Sequence, residues 1–308
     1  MRRRPLSFWA ACLLAVMSQA LPAAEEGALA AVGAWNLQGL GSPQSRPLKG
    51  RGVAQDPKDI ADYIAAAKLD ILCLEGITDD DDDDDKATFT NKTLAQALAA
   101  IKDGSWTYRL FAPRNPRDTW NLTGIAWNEK KARPVGEPCR LKMSIPSYQE
   151  RSWRPWATAM KFSFGEGKTD VVLIPICLRQ NSFKKAKLTE DSPAIRQQEA
   201  ELLVKALPQV REAFQDEDII LMGDFNFLTA DEAAITALTE DGFKDAGTGN
   251  TPTDWEGKLP SDRAFVPGAR KQLSQAVLTV VKHPALKPEV FAEKLSERYI
   301  VRISFPIE

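Results

Sequence analysis

Ile219-Ile220-Leu221-Met222-Gly223-Asp224-Phe225-Asn226 is a run of four apolar residues, a glycine, and then an aspartate and an asparagine on either side of a phenylalanine. Such a run reads as a buried strand, Asp218–Met222, that delivers Asp224 and Asn226 to the loop at its end. Loops at strand ends are where layered proteins of helices and strands keep their sites. Three further segments repeat the arrangement. Ala34-Trp35-Asn36-Leu37-Gln38 closes a first strand with Asn36. Leu69-Asp70-Ile71-Leu72-Cys73-Leu74-Glu75 carries a carboxylate out of an apolar strand. Leu259-Pro260-Ser261-Asp262-Arg263-Ala264-Phe265-Val266 opens a strand with Asp262.

Outward from these four, strands are predicted over 30–37, 69–74, 107–111, 124–127, 158–164, 171–178, 263–266, 277–281 and 299–305. They are rich in Val, Ile, Phe and Trp and bounded by turn formers. Helical spacing appears over Pro57–Lys68 (Ile60, Ile64 and Ala67 on one face), Lys92–Lys102, and Ile195–Phe214 with Leu202, Leu203, Ala206 and Val210 inward. Strands and helices mixed without strict alternation predict an α/β (α+β) fold with partly antiparallel sheets. No internal repeat or long linker divides the chain.

Composition narrows the chemistry. The 308 residues carry 40 basic and 42 acidic side chains, a formal charge of −2, so no global basic field draws the chain onto nucleic acid. One histidine, His283, excludes a multi-histidine zinc site and is the sole partner for any serine or cysteine nucleophile. It precedes Pro284 and reads as a turn residue. Arg2, Arg3 and Arg4 ahead of an apolar run to Leu21, then Ser18, Ala20 and an acidic turn at Glu25-Glu26, read as a bacterial-type leader. The expectation is a signal peptide over 1–24, one domain over 25–308, an exported protein in the periplasm or outside, and no transmembrane anchor once the leader is gone. Beyond Cys12, the cysteines Cys73, Cys139 and Cys177 permit at most one disulfide, and burial is the reading for Cys73 and Cys177. Seven aspartates, Asp79–Asp85, read as a solvated loop, although a loose cation collector is the functional alternative.

Carboxylates and side-chain amides are hard oxygen donors suited to Mg2+, with Mn2+ or Ca2+ as alternatives, rather than to zinc. A cation held by them would polarise a phosphoryl oxygen while Asp224 orients a water. Each residue alone also has an ordinary reading. Asn36 caps a turn, Asp224 makes an Asx-turn, and Asp262 pairs with Arg263. Glu75 resists one, because a carboxylate after so apolar a strand needs a partner if buried.

In their order, these motifs resemble the endonuclease/exonuclease/phosphatase superfamily, over about residues 30 to 305. Gly223-Asp224-Phe225-Asn226 is the most specific piece. Trp35-Asn36 looks like the first motif, Ile71–Glu75 like the metal-binding strand, Gly124–Asn128 like a central strand, Arg154-Pro155 like an arginine–proline pair and Asp262 like the aspartate before a final hairpin. The resemblance implies a four-layered sandwich of two mixed β-sheets flanked by helices, with the site at one end. It also implies metal ligands in Glu75, Asn36 and Asp262, water activation by Asp224, phosphate contacts from Asn226, and a substrate contact from Arg154.

Two departures stand at the implied catalytic histidines. Cys177-Leu178 replaces a histidine–leucine pair, and Ser296-Glu297-Arg298 replaces serine–aspartate–histidine. Losing one acid–base group typically costs about two to four powers of ten in rate. Arg298 can stabilise phosphoryl charge but cannot shuttle a proton near neutrality. The expectation is an exported protein that binds metal and phosphate esters with phosphodiester hydrolysis weak or lost. The alternative is an active metal-dependent phosphoesterase or nuclease using Cys177, Glu297 and Arg298 as a modified acid/base set. A guanidinium filling the metal position would count against activity. The implied partner is a phosphate-ester-bearing small molecule or lipid headgroup. Arg151, Trp153, Arg154 and Trp156 offer a basic–aromatic cluster, read mainly as packing, and Lys184, Lys185 and Lys187 a loop, so avid nucleic-acid binding is not expected.

Overall fold

The computed structural model describes residues 28–42, 54–80, 88–113, 121–143, 157–181, 191–247 and 249–307, with the backbone of 183–184 and 187–188. The leader, the aspartates after Asp80, and Arg151, Trp153, Arg154 and Trp156 lie outside the described residues, as does Lys185.

The described strands are β1 (Leu29–Leu40), β2 (Ile71–Ile77), β3 (Trp106–Leu110), β4 (Leu122–Asn128), β5 (Arg133–Arg140), β6 (Thr158–Ser163), β7 (Val171–Cys177), β8 (Phe183–Lys184), β9 (Lys187–Leu188), β10 (Ile219–Asp224), β11 (Phe243–Asp245), β12 (Asp262–Pro267), β13 (Thr279–Val281) and β14 (Ile300–Pro306). The helices are α1 (Pro57–Ala67), α2 (Lys92–Ala100), α3 (Ser192–Phe214), α4 (Ala233–Glu240), α5 (Lys271–Ser274) and α6 (Pro288–Lys294). Two six-stranded mixed sheets form, in the orders β13-β14-β1-β2-β4-β3 and β11-β12-β10-β7-β6-β5. Lys184 and Lys187 belong to the small β8–β9 ribbon.

Three apolar clusters show the layering. Ala30, Val32, Ile71, Cys73 and Ile125 of the first sheet meet Phe162, Leu173, Ile220 and Met222 of the second, so one core lies between the sheets. Alternate residues of the first sheet, Ala31, Trp35, Leu72 and Leu74, pack outward on Ile60 and Ile64 of α1 and Leu94 and Leu98 of α2. Val172, Ile174, Ile219 and Leu221 of the second pack on Leu203, Ala206, Leu207 and Val210 of α3. Strands apolar on both faces are what a sheet sandwiched between a second sheet and helices requires. Leu202 is only partly buried against that cluster, so the inward face of α3 is shifted from the predicted one to include Leu207.

The start of α2 uses the aspartate run. Asp79 accepts the Thr90 N–H at 3.0 Å, and the Asp80 carboxylate accepts the Lys92 N–H at 2.9 Å, where a negative charge offsets the positive end of the helix. The run therefore begins as a fastening.

Candidate functional site

Strand register brings the four motifs to one end of the sandwich. In the first sheet, Asn36 and Glu75 are direct neighbours on parallel β1 and β2. In the second, Asp224 is flanked by Cys177 on β7 and Asp262 on β12. The β1–β2 pairing slips between Asn36 and Leu40, and β2–β4 slips between Leu74 and Ile77. Such irregularities re-aim side chains at strand ends. Gly76 follows Glu75 with φ of 68°, and a side chain there would come within 2.5 Å of Asn36 Oδ1.

Gly223 lets the two sheets approach. It has φ of 151°, and a Cβ on it would stand 2.1 Å from the Ile176 carbonyl and 2.5 Å from Glu75 Oε1. The Glu75 carboxylate thus reaches across from the first sheet and lies against the backbone of β10.

Asp224 is the hub. Its Oδ2 accepts Asn36 Nδ2 at 2.8 Å and Arg298 Nε at 3.3 Å, while Oδ1 accepts the Asn226 N–H at 2.9 Å. The Oδ1 contact is the Asx-turn expected of Asp224. Asn226 takes a left-handed φ of 56°, which asparagine tolerates. Its Nδ2 donates to the Leu178 carbonyl at 3.1 Å, and its Oδ1 receives Arg298 Nη2 at 3.5 Å. Asp262 does not pair with Arg263, which turns to Asp245 at 3.3 Å. Instead Asp262 Oδ2 accepts the Thr253 hydroxyl at 2.7 Å and lies 4.0 Å from Arg298 Nε, leaving Oδ1 without a partner among the described residues.

Arg298 is locked at its backbone. Its N–H donates to Ser296 Oγ at 3.0 Å, and its carbonyl accepts the buried Trp35 indole N–H at 3.0 Å. Ser296 Oγ in turn donates to the Asn36 carbonyl at 2.6 Å, so the first motif and the last hold one another. Glu297 is not drawn into the carboxylate group. Its N–H donates to Gln38 Oε1 at 2.7 Å, and its carboxylate accepts Gln38 Nε2 at 3.4 Å.

The electrostatics are lopsided. Glu75, Asp224 and Asp262 are 0%, 1% and 0% exposed, and one guanidinium serves them. Neither Glu75 oxygen has a hydrogen-bond partner among the described residues. Burial, then Asp262 and Asp224, push the Glu75 carboxyl well above the ordinary range. Burial and Asp224 raise Asp262 likewise, against the pull of Arg298. Burial would lower Arg298, but Asp224 and Asp262 outweigh it and hold the guanidinium more firmly charged than usual. Cys177 is partly exposed beside this cluster, and burial, Asp224 and Glu75 all raise its thiol. A thiol so placed stays protonated and is neither a nucleophile nor a substitute imidazolium. His283 lies elsewhere, its Nδ1 accepting the N–H groups of Ala285 and Leu286 while its ring packs on Tyr63.

Several supporting residues carry no motif. Arg196 of α3, fully buried, makes a two-pronged ion pair with Glu232 at 2.7 and 2.8 Å and also binds the Arg179 carbonyl and Asn181 Oδ1. Asn181 Nδ2 then donates to the Asn226 carbonyl at 2.8 Å, so this ion pair braces the loop that holds Asn226. Thr253 and Gln38 complete the surround.

The donors fit a hard divalent cation. Glu75 offers two unbonded oxygens, its strand partner Asn36 has an Oδ1 that accepts the Gln38 N–H at 2.9 Å, and three buried carboxylates share one guanidinium. Among the described residues, no group of three or more carboxylate, thiol or imidazole side chains is arranged to hold a metal ion by itself.

Comparison with known proteins agrees with this architecture. Residues 33–282 match the sequence pattern described as Endonuclease/Exonuclease/phosphatase family. A Bacteroides thetaiotaomicron protein titled as of that family superposes with a TM-score of 0.60 at 16% identity, covering 91% of this chain and 95% of that one. The human Nocturnin catalytic domain with bound sulfate gives 0.57 at 14%, over 91% and 94%. Truncated Caenorhabditis elegans TDP2 gives 0.55 at 16%, over 90% and 97%. At these identities the likeness is one of fold. No curated protein matches this chain in sequence.

Proposed function

The chain belongs to the endonuclease/exonuclease/phosphatase family, and from that membership we propose that it binds a divalent cation and a phosphate ester, with phosphodiester hydrolysis weak or lost. The observation that carries the reading is the contrast between Glu75 and Asp224. Glu75 is buried with both oxygens unbonded, whereas Asp224 already holds Asn36, Arg298 and the Asn226 N–H.

Glu75 would hold the cation, with Asn36 beside it and Asp262 Oδ1 in reserve. When bound, Mg2+, or Mn2+ or Ca2+ in its place, supplies Lewis-acid polarisation of a phosphoryl oxygen. The chain's own groups do the rest. Arg298 presents a fixed positive charge to the phosphoryl oxygens from beside Asn226. A water to be activated would have to enter beside Asp224, which is 1% exposed and already accepts three hydrogen bonds, and that crowding slows the step. No described group near Arg298 replaces a proton-donating imidazole, because Cys177 holds its proton too tightly and Glu297 is engaged with Gln38. Binding is therefore better supported than turnover. The ligand class is a small phosphate ester or a lipid headgroup, since the partly exposed groups around the centre include the amides of Asn36, Gln38 and Asn181 with the cation Arg298 and the anion Glu297. Export rests on the Arg2–Arg4 and apolar leader pattern, and N-terminal sequencing of the protein recovered from the periplasm or medium tests it.

The deciding assay is hydrolysis of an activated phosphodiester with Mg2+ or Mn2+ and with chelator, alongside a Glu75→Gln, Asp224→Ala double variant. We expect at most trace metal-dependent turnover above the variant. Robust turnover that the variant abolishes would overturn this reading in favour of an active phosphoesterase.

A further inference from the structure

Asp224 and Asp262 face each other across β10 and β12, and the Arg298 guanidinium lies 3.3 Å from the one and 4.0 Å from the other. Among the described residues, none of its nitrogens bonds Glu75, whose fully buried carboxylate keeps both oxygens free against Gly223. One flank of the carboxylate group is thus neutralised by a cation that is part of the chain, and the other is not. Arg298 is also held in place, since its N–H is fixed by Ser296, its carbonyl by Trp35, and its backbone pairs with that of Asp254.

We propose that Arg298 is a tethered counter-ion that sets the affinity of the Glu75 flank for a divalent cation, weakening it. The inference rests on the cation reading above. The physical ground is Coulombic. A fixed unit charge within the same buried cluster both removes negative potential and repels an incoming dication, and at the effective dielectric of protein sites this changes affinity by about tenfold or more. A flexible exposed arginine would have no such effect, because screening and side-chain motion would dilute it.

Mn2+ binding, measured by calorimetry and by the spin signal of free Mn2+, tests the idea on the purified protein and its R298Q, R298K and E75Q variants. R298Q should bind about tenfold or more tightly than the parent. R298K, which keeps the charge although it loses the fork of the guanidinium, should stay within about threefold. Equal or weaker binding by R298Q overturns the proposal. The cation reading fails in a different way, with no saturable Mn2+ binding by either protein, or with binding that E75Q leaves unchanged, and either result removes the inference as well. Thermal unfolding gives a second readout if R298Q is marginal without metal. Mn2+ should raise its midpoint more than that of the parent, and an equal or smaller rise counts against the counter-ion role.

Discussion

Glu75 has a proton affinity above the ordinary glutamate range because it is buried beside Asp262 and Asp224 with no donor to its oxygens. A carboxyl whose folded value is raised contributes stability that is complete below its unfolded value, about 4.3. That contribution is lost as pH climbs through the folded value, because the folded state binds the proton more tightly. Glu75→Gln does not titrate, so in chelator it should match the parent near about pH 4 and exceed it by about 1 kcal/mol or more near pH 8 in urea unfolding. Saturating Mg2+ should reverse the order, since only the parent gains ligand stabilisation. A variant less stable than the parent in chelator at the higher pH would contradict this. At this scale the sequence was informative near strand ends. Asn36, Glu75, Asp224, Asn226, Asp262 and Arg298 all reach one place, but only Asp224 and Asp262 stand at strand ends; Asn226 and Arg298 lie just outside β10 and β14, and β1 and β2 run on past Asn36 and Glu75 to Leu40 and Ile77. It was silent on Gln38, Thr253 and Asn181, whose parts are assigned only when distant loops meet.

Among the elements, each of the ten strands read from apolar runs exists, and the three longest helices do as well. What escaped was structure without an apolar signature. β5 is largely exposed and carries Pro134 and Pro138, as an edge strand tolerates, so no alternation marks it. α4 and α6 are short and lack a side-chain cap bond. The clasp between α3 and the segment before α4 was also invisible, because a fully buried arginine in a helix looks like a surface one until its partner, here Glu232, is placed. Arg196→Met should cost about 3–5 kcal/mol by leaving Glu232 buried without its cation. Replacing both by methionine should recover much of that loss, and chemical unfolding of single and double variants measures the difference.

Over the whole molecule, a formal charge of −2 and the run of seven aspartates that follows β2 in the sequence oppose adhesion to polyanions. Retardation of duplex DNA at physiological salt should therefore be weak, and tight binding that falls steeply with added salt would refute this. Among the described residues, no helix is long and apolar enough to cross a membrane. The pairing of β1 with β14 reaches furthest in its consequences, for it joins Leu29 to Pro306 and sets Trp35 against residue 298, a span of 263 positions. Chains are synthesised from the amino end, so β1, β2 and β10 all exist before β14 has been made. During that interval Glu75, Asp224 and Asp262 have no Arg298 to face, and the first sheet lacks the strand between β13 and β1. Such distant pairing makes folding slow and its completion late. β14, translated after the strands it joins, therefore closes the first sheet just as the adjoining Arg298 arrives, so a chain that stops short of both carries neither a finished sheet nor a finished centre.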